Sequence, residues 1–160
     1  MTSDCGVCQR IAQTRQGQNP FLVREMETGY VVLGDFQRFP GYTLFLCKTH
    51  ATELHHLPQR TRELFLHEMA LTAEAVDRAF HPDKLNYELL GVGRNRHMHW
   101  HIFPRREGDT PQPGPVWRLP AAELNDPRCR PSMPQLEDMK RRLNRALDEI
   151  LSEQATERTE

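Results

Sequence analysis

The chain has 160 residues and a mass of 18.7 kDa, a length that fits one domain burying about two-thirds of its unfolded surface. With 38% apolar and 27% charged residues, a net charge of -1 and a mean hydropathy of -0.70, it is globular in balance. It lacks the broad basic field that drives non-specific nucleic-acid binding. No apolar run approaches the roughly 18 residues of a membrane helix, and Met1-Thr2-Ser3-Asp4-Cys5 has neither the basic start nor the apolar stretch of a secretory signal. The expectation is a cytoplasmic protein with no membrane or nucleic-acid partner.

In chain order, Cys8 to Gln16 read as a short helix ended by Gly17 and the Asn19-Pro20 turn signal. Phe21 to Arg24 and Tyr30 to Leu33 are short β-rich runs around Glu27-Thr28-Gly29, a predicted hairpin. A loop from Gly34 to Gly41 leads into the apolar strand Tyr42 to Cys47, with His50 just past its end. A long helix follows. Pro58 suits its first turn, and Phe65, Met69, Ala73, Val76 and Phe80 recur at spacings of three and four as a packing stripe. His81-Pro82-Asp83 ends that helix, since the residue before a proline is driven out of the α region. Leu85 to Leu90 reads as another strand, joined by the loop 91–96 to the run His97 to Phe103. So short a link makes the two antiparallel neighbours, and Pro104 is expected to close the second.

Residues 106–131 are rich in proline and poor in periodicity, an irregular and mostly exposed segment whose apolar knot is Gly114-Pro115-Val116-Trp117. Ser132-Met133-Pro134-Gln135 matches a capping box, and Leu136, Met139, Leu143, Leu147 and Ile150 form the apolar face of a closing helix over 132–151. The charged tail beyond it is expected to fray. No repeat or second domain appears. The fold class is therefore α+β, a single domain over 1–160 with its core in about 5–105. It should hold a mainly antiparallel sheet of about five strands, one long helix against it and a C-terminal helix.

Two residue types stand out, eight His and four Cys. Cys5 and Cys8 form a C-x-x-C pair, while Cys47 and Cys129 are isolated, which is not a disulfide framework. Such a pair is half of a metal site, a redox pair or a coincidence. Thioredoxin-like chemistry wants it after a strand in a βαβ setting, and only four residues precede Cys5, so zinc is the better reading, with histidine as the expected partner. His97, His99 and His101 alternate with Met98, Trp100 and Ile102, so in a strand the three imidazoles share one face and the apolar side chains the other. Three imidazoles on one face suit either a metal cluster or covalent catalysis on phosphorus. His55, His56, His67 and His81 lie in or beside a charge-rich helical stretch and read as surface residues.

The run His97-Met98-His99-Trp100-His101-Ile102-Phe103 matches the H-φ-H-φ-H-φ-φ signature of the histidine triad (HIT) superfamily of nucleotide hydrolases and transferases. The segment Gly41 to His50 resembles that family's upstream strand, and the order of elements from about Cys5 to Arg105 is similar too. The resemblance implies a structural zinc held by Cys5, Cys8, His50 and His97. It implies a catalytic triad in which His99 attacks the α-phosphorus and forms a nucleotidyl-histidine, while His101 bonds the α-phosphate oxygens and helps protonate the leaving group. The neighbouring backbone would fix the His99 tautomer, and His97 completes the triad. Asp35 matches a region that contacts the ribose in relatives, or else it simply starts a turn.

The pattern departs from many relatives at Tyr42, where they have His, at Val92, where they have Asn, and at Arg96, where they have Pro. Arg94 or Asn95 would then supply the loop's phosphate contact. The resemblance implies a homodimer acting on a small nucleotide, with hydrolysis of dinucleoside polyphosphates or nucleoside phosphoramidates as the leading activity. A nucleotidyltransferase of the same superfamily, or a nucleotide- or zinc-binding module without turnover, are the alternatives.

Overall fold

Residues 4–157 are described by a computed structural model. Residues 1–3, the start of the stretch read for a secretory signal, and 158–160, the end of the charged tail, lie outside that range. Strands β1 (Leu22–Glu25), β2 (Gly29–Leu33), β3 (Thr43–Cys47), β4 (Lys84–Glu88) and β5 (His99–Arg105) form one antiparallel sheet in the order β1-β2-β3-β5-β4. The helices are α1 (Gly6–Arg15), α2 (Gln59–Phe80), α3 (Ala121–Leu124) and α4 (Met133–Glu157). Among the described residues no helix is long and apolar enough to cross a membrane.

Period-two alternation divides the sheet between two cores. Val31, Leu33, Phe45, Cys47, Met98 and Ile102 join the main cluster, together with Phe65, Ala73, Val76 and Phe80 of α2 and Leu136, Leu143, Leu147 and Ile150 of α4. Tyr30, Val32 and Leu46 point the other way and pack against Val7, Cys8 and Ile11 of α1. That double cover is why every residue of β2 is buried. The four histidines read as surface residues are all exposed.

The stripe on α2 packs as predicted, but Glu68 on the same helix is also buried, at 5% exposure. Its carboxylate accepts the backbone N–H groups of Glu27 and Thr28 at 2.8 and 2.9 Å and the Thr28 hydroxyl. It thereby ties the β1–β2 turn to the helix. At its C-terminus α2 does stop before Pro82, through a left-handed rather than extended residue. His81 sits at φ 49, ψ 57 with its N–H on the Asp77 carbonyl, a cap that satisfies one end carbonyl while leaving the right-handed α region.

Three expectations need correction. Pro104 does not close the strand, because β5 continues to Arg105 with Leu85 opposite Pro104. The Arg105 carbonyl accepts the Asp83 N–H, so the backbone of Arg105 faces β4 and that of Pro104 faces the β3 side. Pairing with β3 runs only as far as Ile102, so the missing N–H costs no ladder bond. The segment 106–131 is largely exposed but not irregular throughout. It contains α3 and two single-turn helices, at Val116–Arg118 and Pro127–Cys129, and is anchored by Val116, which packs on Phe39 and Phe103. The tail does not fray at 151: α4 runs to Glu157, and Arg78 of α2 holds Glu153 at 2.7 Å.

Candidate functional site

The C-x-x-C pair lies where α1 begins, with Cys5 as its N-cap and the Cys8 N–H directed to the Cys5 Sγ at 3.4 Å. Chain folding brings His50, past the end of β3, and His97, just before β5, to the same spot. The four donor atoms lie within 4.8 Å of one another. Cys8 Sγ is 3.2 Å from His50 Nδ1 and 3.4 Å from His97 Nδ1, and Cys5 Sγ is 3.7 Å from His97 Nδ1. A tetrahedral zinc with Zn–S of about 2.3 Å and Zn–N of about 2.0–2.1 Å would place S and N about 3.5 Å apart, so the spacing fits. His97 donates its Nε2–H to the Cys47 carbonyl at 2.8 Å, which leaves the Nδ1 lone pair facing the thiols. Burial, and after it the neighbouring Cys5, push the Cys8 thiol up, a cost that a divalent cation would offset.

His99 and His101 project from β5 on the sheet face away from α2 and α4, their ring centroids 4.7 Å apart. The buried His99 donates Nδ1–H to the carbonyl of His97 at 2.7 Å, so its Nε2 carries a free lone pair. His101 Nδ1 is 2.6 Å from the Tyr42 hydroxyl. The phenol has no other partner among the described residues, and burial drives its ionisation far upward, so the O–H donates and His101 accepts at Nδ1. That tautomer leaves a proton on Nε2. Burial, and then the neighbouring His99, press the His101 imidazole down to about 3, which keeps it neutral near pH 7.

Tyr42 is placed by packing on both sides. Its ring stacks on Phe103 at 4.2 Å and lies against Gly34, where an added Cβ would come within 2.1 Å of the ring Cδ1. Gly41 before it has φ 95 and faces the Phe80 ring, a backbone turn that suits glycine.

The two imidazoles open into a cavity of about 560 Å³, a size suited to a nucleotide-scale ligand. Val7, Val32, Leu44 and Leu46 give it an apolar wall on the α1 side, Phe103 of β5 lines it from the sheet, and Val116 and Trp117 bound it from the 106–131 segment. Asp35 lines it, paired with Arg10 at 2.6 Å, and so does Asn95. Arg94 does not reach it. That side chain is exposed and directed to Asp4 and Gln9. Val92 is likewise exposed, at 79%. Sequence reasoning missed Arg10 and Glu88, both of which line the cavity; an acidic residue inside the apolar run Leu85 to Leu90 was the one signal for the second.

A family model for the HIT domain matches residues 16–108. No curated protein matches the chain. A hypothetical histidine triad nucleotide-binding protein from Sulfolobus tokodaii strain 7 superposes with a TM-score of 0.68 at 20% identity, covering 89% of this chain and 93% of its own. A histidine triad protein from Bradyrhizobium japonicum does so at 0.69 and 21%, with coverages of 84% and 95%. A Zn-bound histidine triad family protein from Mycobacterium smegmatis gives 0.62 at 24%, with 92% and 99% covered.

Proposed function

The chain belongs to the HIT domain family, and from that premise we propose that it is a nucleotide hydrolase acting at the α-phosphate of dinucleoside polyphosphates or nucleoside phosphoramidates. The observation that carries this reading is the hydrogen bond from His99 Nδ1 to the His97 carbonyl, which turns the Nε2 lone pair of a buried imidazole toward a nucleotide-sized cavity. In the first step Nε2 attacks phosphorus and the leaving group departs, giving a nucleotidyl-histidine. In the second, water attacks phosphorus, the P–N bond breaks and the nucleoside monophosphate is released. His101, neutral with its proton on Nε2, donates to an α-phosphate oxygen as charge develops there. The apolar wall takes the base, Asp35 with Arg10 a ribose hydroxyl, and Asn95 a phosphate oxygen. The description of the Sulfolobus neighbour as nucleotide-binding supports the ligand class.

Cys5, Cys8, His50 and His97 would hold zinc, which with four protein ligands supplies structure rather than a water for catalysis. The Zn-bound mycobacterial neighbour supports that metal. The reading also includes a cytoplasmic location, in keeping with four free cysteines, and a homodimer, for which the edge strand β4 offers the exposed Tyr87. A transferase would differ only in the acceptor of the second step.

The test is incubation with diadenosine polyphosphates and AMP amidates beside His99→Ala, followed by mass spectrometry. AMP bound covalently to His99 of the wild-type protein and absent from the variant is the expected result. Wild-type protein that turns over none of these substrates while still binding AMP would reduce the protein to a binding module.

A further inference from the structure

Among the polar groups in the cavity that the reaction above leaves without a role is Glu88, the last residue of β4. Glu88 stands directly opposite His101 in the β4–β5 ladder, so the two side chains share a face at neighbouring positions. Tyr42 holds His101 from the β3 side; Glu88 flanks it on the other. The residue is 7% exposed, lines the cavity, and its Oε1 is buried without a partner. Such an oxygen is costly unless a ligand completes it. The nearby cation does not, since Arg105 is committed to Asp109, Asn86 and the Gly114 carbonyl.

We propose that Glu88 is the proton donor to the leaving group, its free carboxyl oxygen meeting the departing atom beside His101. This rests on the hydrolase reading above. Burial raises the Glu88 carboxyl, against the opposing pull of Arg105 and the Val116 N–H, the direction that a proton donor needs. His101 is poorly suited to that transfer, because its single proton holds the phosphate oxygen and giving it up would leave an imidazolate.

The balance closes with Glu88 as the donor. As the His99 Nε2–P bond forms, the bond from phosphorus to the leaving nitrogen or oxygen breaks. That atom keeps the electron pair and takes the Glu88 proton. Glu88, now a carboxylate, then accepts a proton from the attacking water as the P–N bond to His99 breaks and the lone pair returns to Nε2.

The experiment compares two AMP derivatives that differ in their need for a proton: an alkylamidate, whose amine leaves only when protonated, and the p-nitrophenyl ester, whose phenolate leaves unaided. In Glu88→Gln, kcat/KM for the alkylamidate should fall about 100-fold to 10,000-fold, while that for the ester should fall less than about tenfold. Retained ester turnover also shows that the variant is folded. An equal loss on both substrates, or no loss on the alkylamidate, overturns the assignment and leaves the hydrolase reading standing. Wild-type protein that releases no p-nitrophenolate overturns the hydrolase reading, and the role of Glu88 with it.

Discussion

The carbonyl of His97 accepts the Nδ1–H of His99 at 2.7 Å, so the residue whose own ring faces the two thiols also fixes the tautomer of the imidazole two positions later. The His97 ring is itself held by Cys47. The Cys/His cluster and the candidate nucleophile are thus joined by a single peptide segment, and a disturbance of one should be felt by the other.

Removing one thiol tests that link. Cys5→Ser should lower bound zinc from about one per chain to well below that, measured by elemental analysis, and lower Tm by about 5 °C or more. Turnover should fall as well, since the His97 carbonyl loses its anchor. Unchanged zinc content and unchanged melting would speak against the four-ligand site.

Tyr42→Phe removes the donor to His101 Nδ1 while keeping the ring stacked on Phe103. Loss of one buried hydrogen bond is worth about 1–3 kcal/mol, so kcat should fall about tenfold or more with KM little changed. The imidazole is then free to take the other tautomer, which nitrogen NMR of His101 would report as a changed Nδ1 shift.

Glu68→Ala should destabilise by about 3 kcal/mol, because it strands the N–H groups of Glu27 and Thr28 in a buried turn. Chemical denaturation would measure it as a lower midpoint. Glu68 does not line the cavity, so turnover of the remaining folded protein should be unaffected.

Asp109 links the 106–131 segment to the sheet. It receives both Nε and Nη2 of Arg105 at 2.7 and 2.8 Å and the Arg106 N–H at 2.9 Å. The Arg105 guanidinium holds the Asp109 carboxyl below its ordinary range. A depressed folded pKa means that the stabilisation is present above the ordinary aspartate range and is lost as pH falls through that range and below it. Asp109→Asn should therefore cost about 1–3 kcal/mol at pH 7, and the gap to wild type should close as pH falls well below the ordinary aspartate range.

The parts of this fold with strict periodicity were legible in the sequence. The stripe Phe65 to Phe80 and the alternation from His97 to Phe103 each specify an element and its buried face without reference to the rest of the chain. The His/Cys cluster was reached by resemblance, and its spacing then proved chemically consistent. What stayed hidden depends on contacts distant along the chain. Val116 gains its place from Phe39 and Phe103, Glu68 from a turn forty residues earlier, and Glu88 from its register with His101. Pro104 misled because its effect depends on which side of β5 has a neighbour, and only the extent of β3 decides that.

The register of β3 with β5, Leu46 opposite His99 and Leu44 opposite His101, carries one more implication. A slip of one residue along β5 would turn Trp100 and Ile102 into the cavity and drive both imidazoles into the apolar interior. No well-packed version of this protein has its chemistry misaligned by a step, because the misalignment would first cost the core. Folding therefore acts as an inspection of the reactive groups: a chain that succeeds in burying its apolar side chains has, by the same pairing, aimed its histidines.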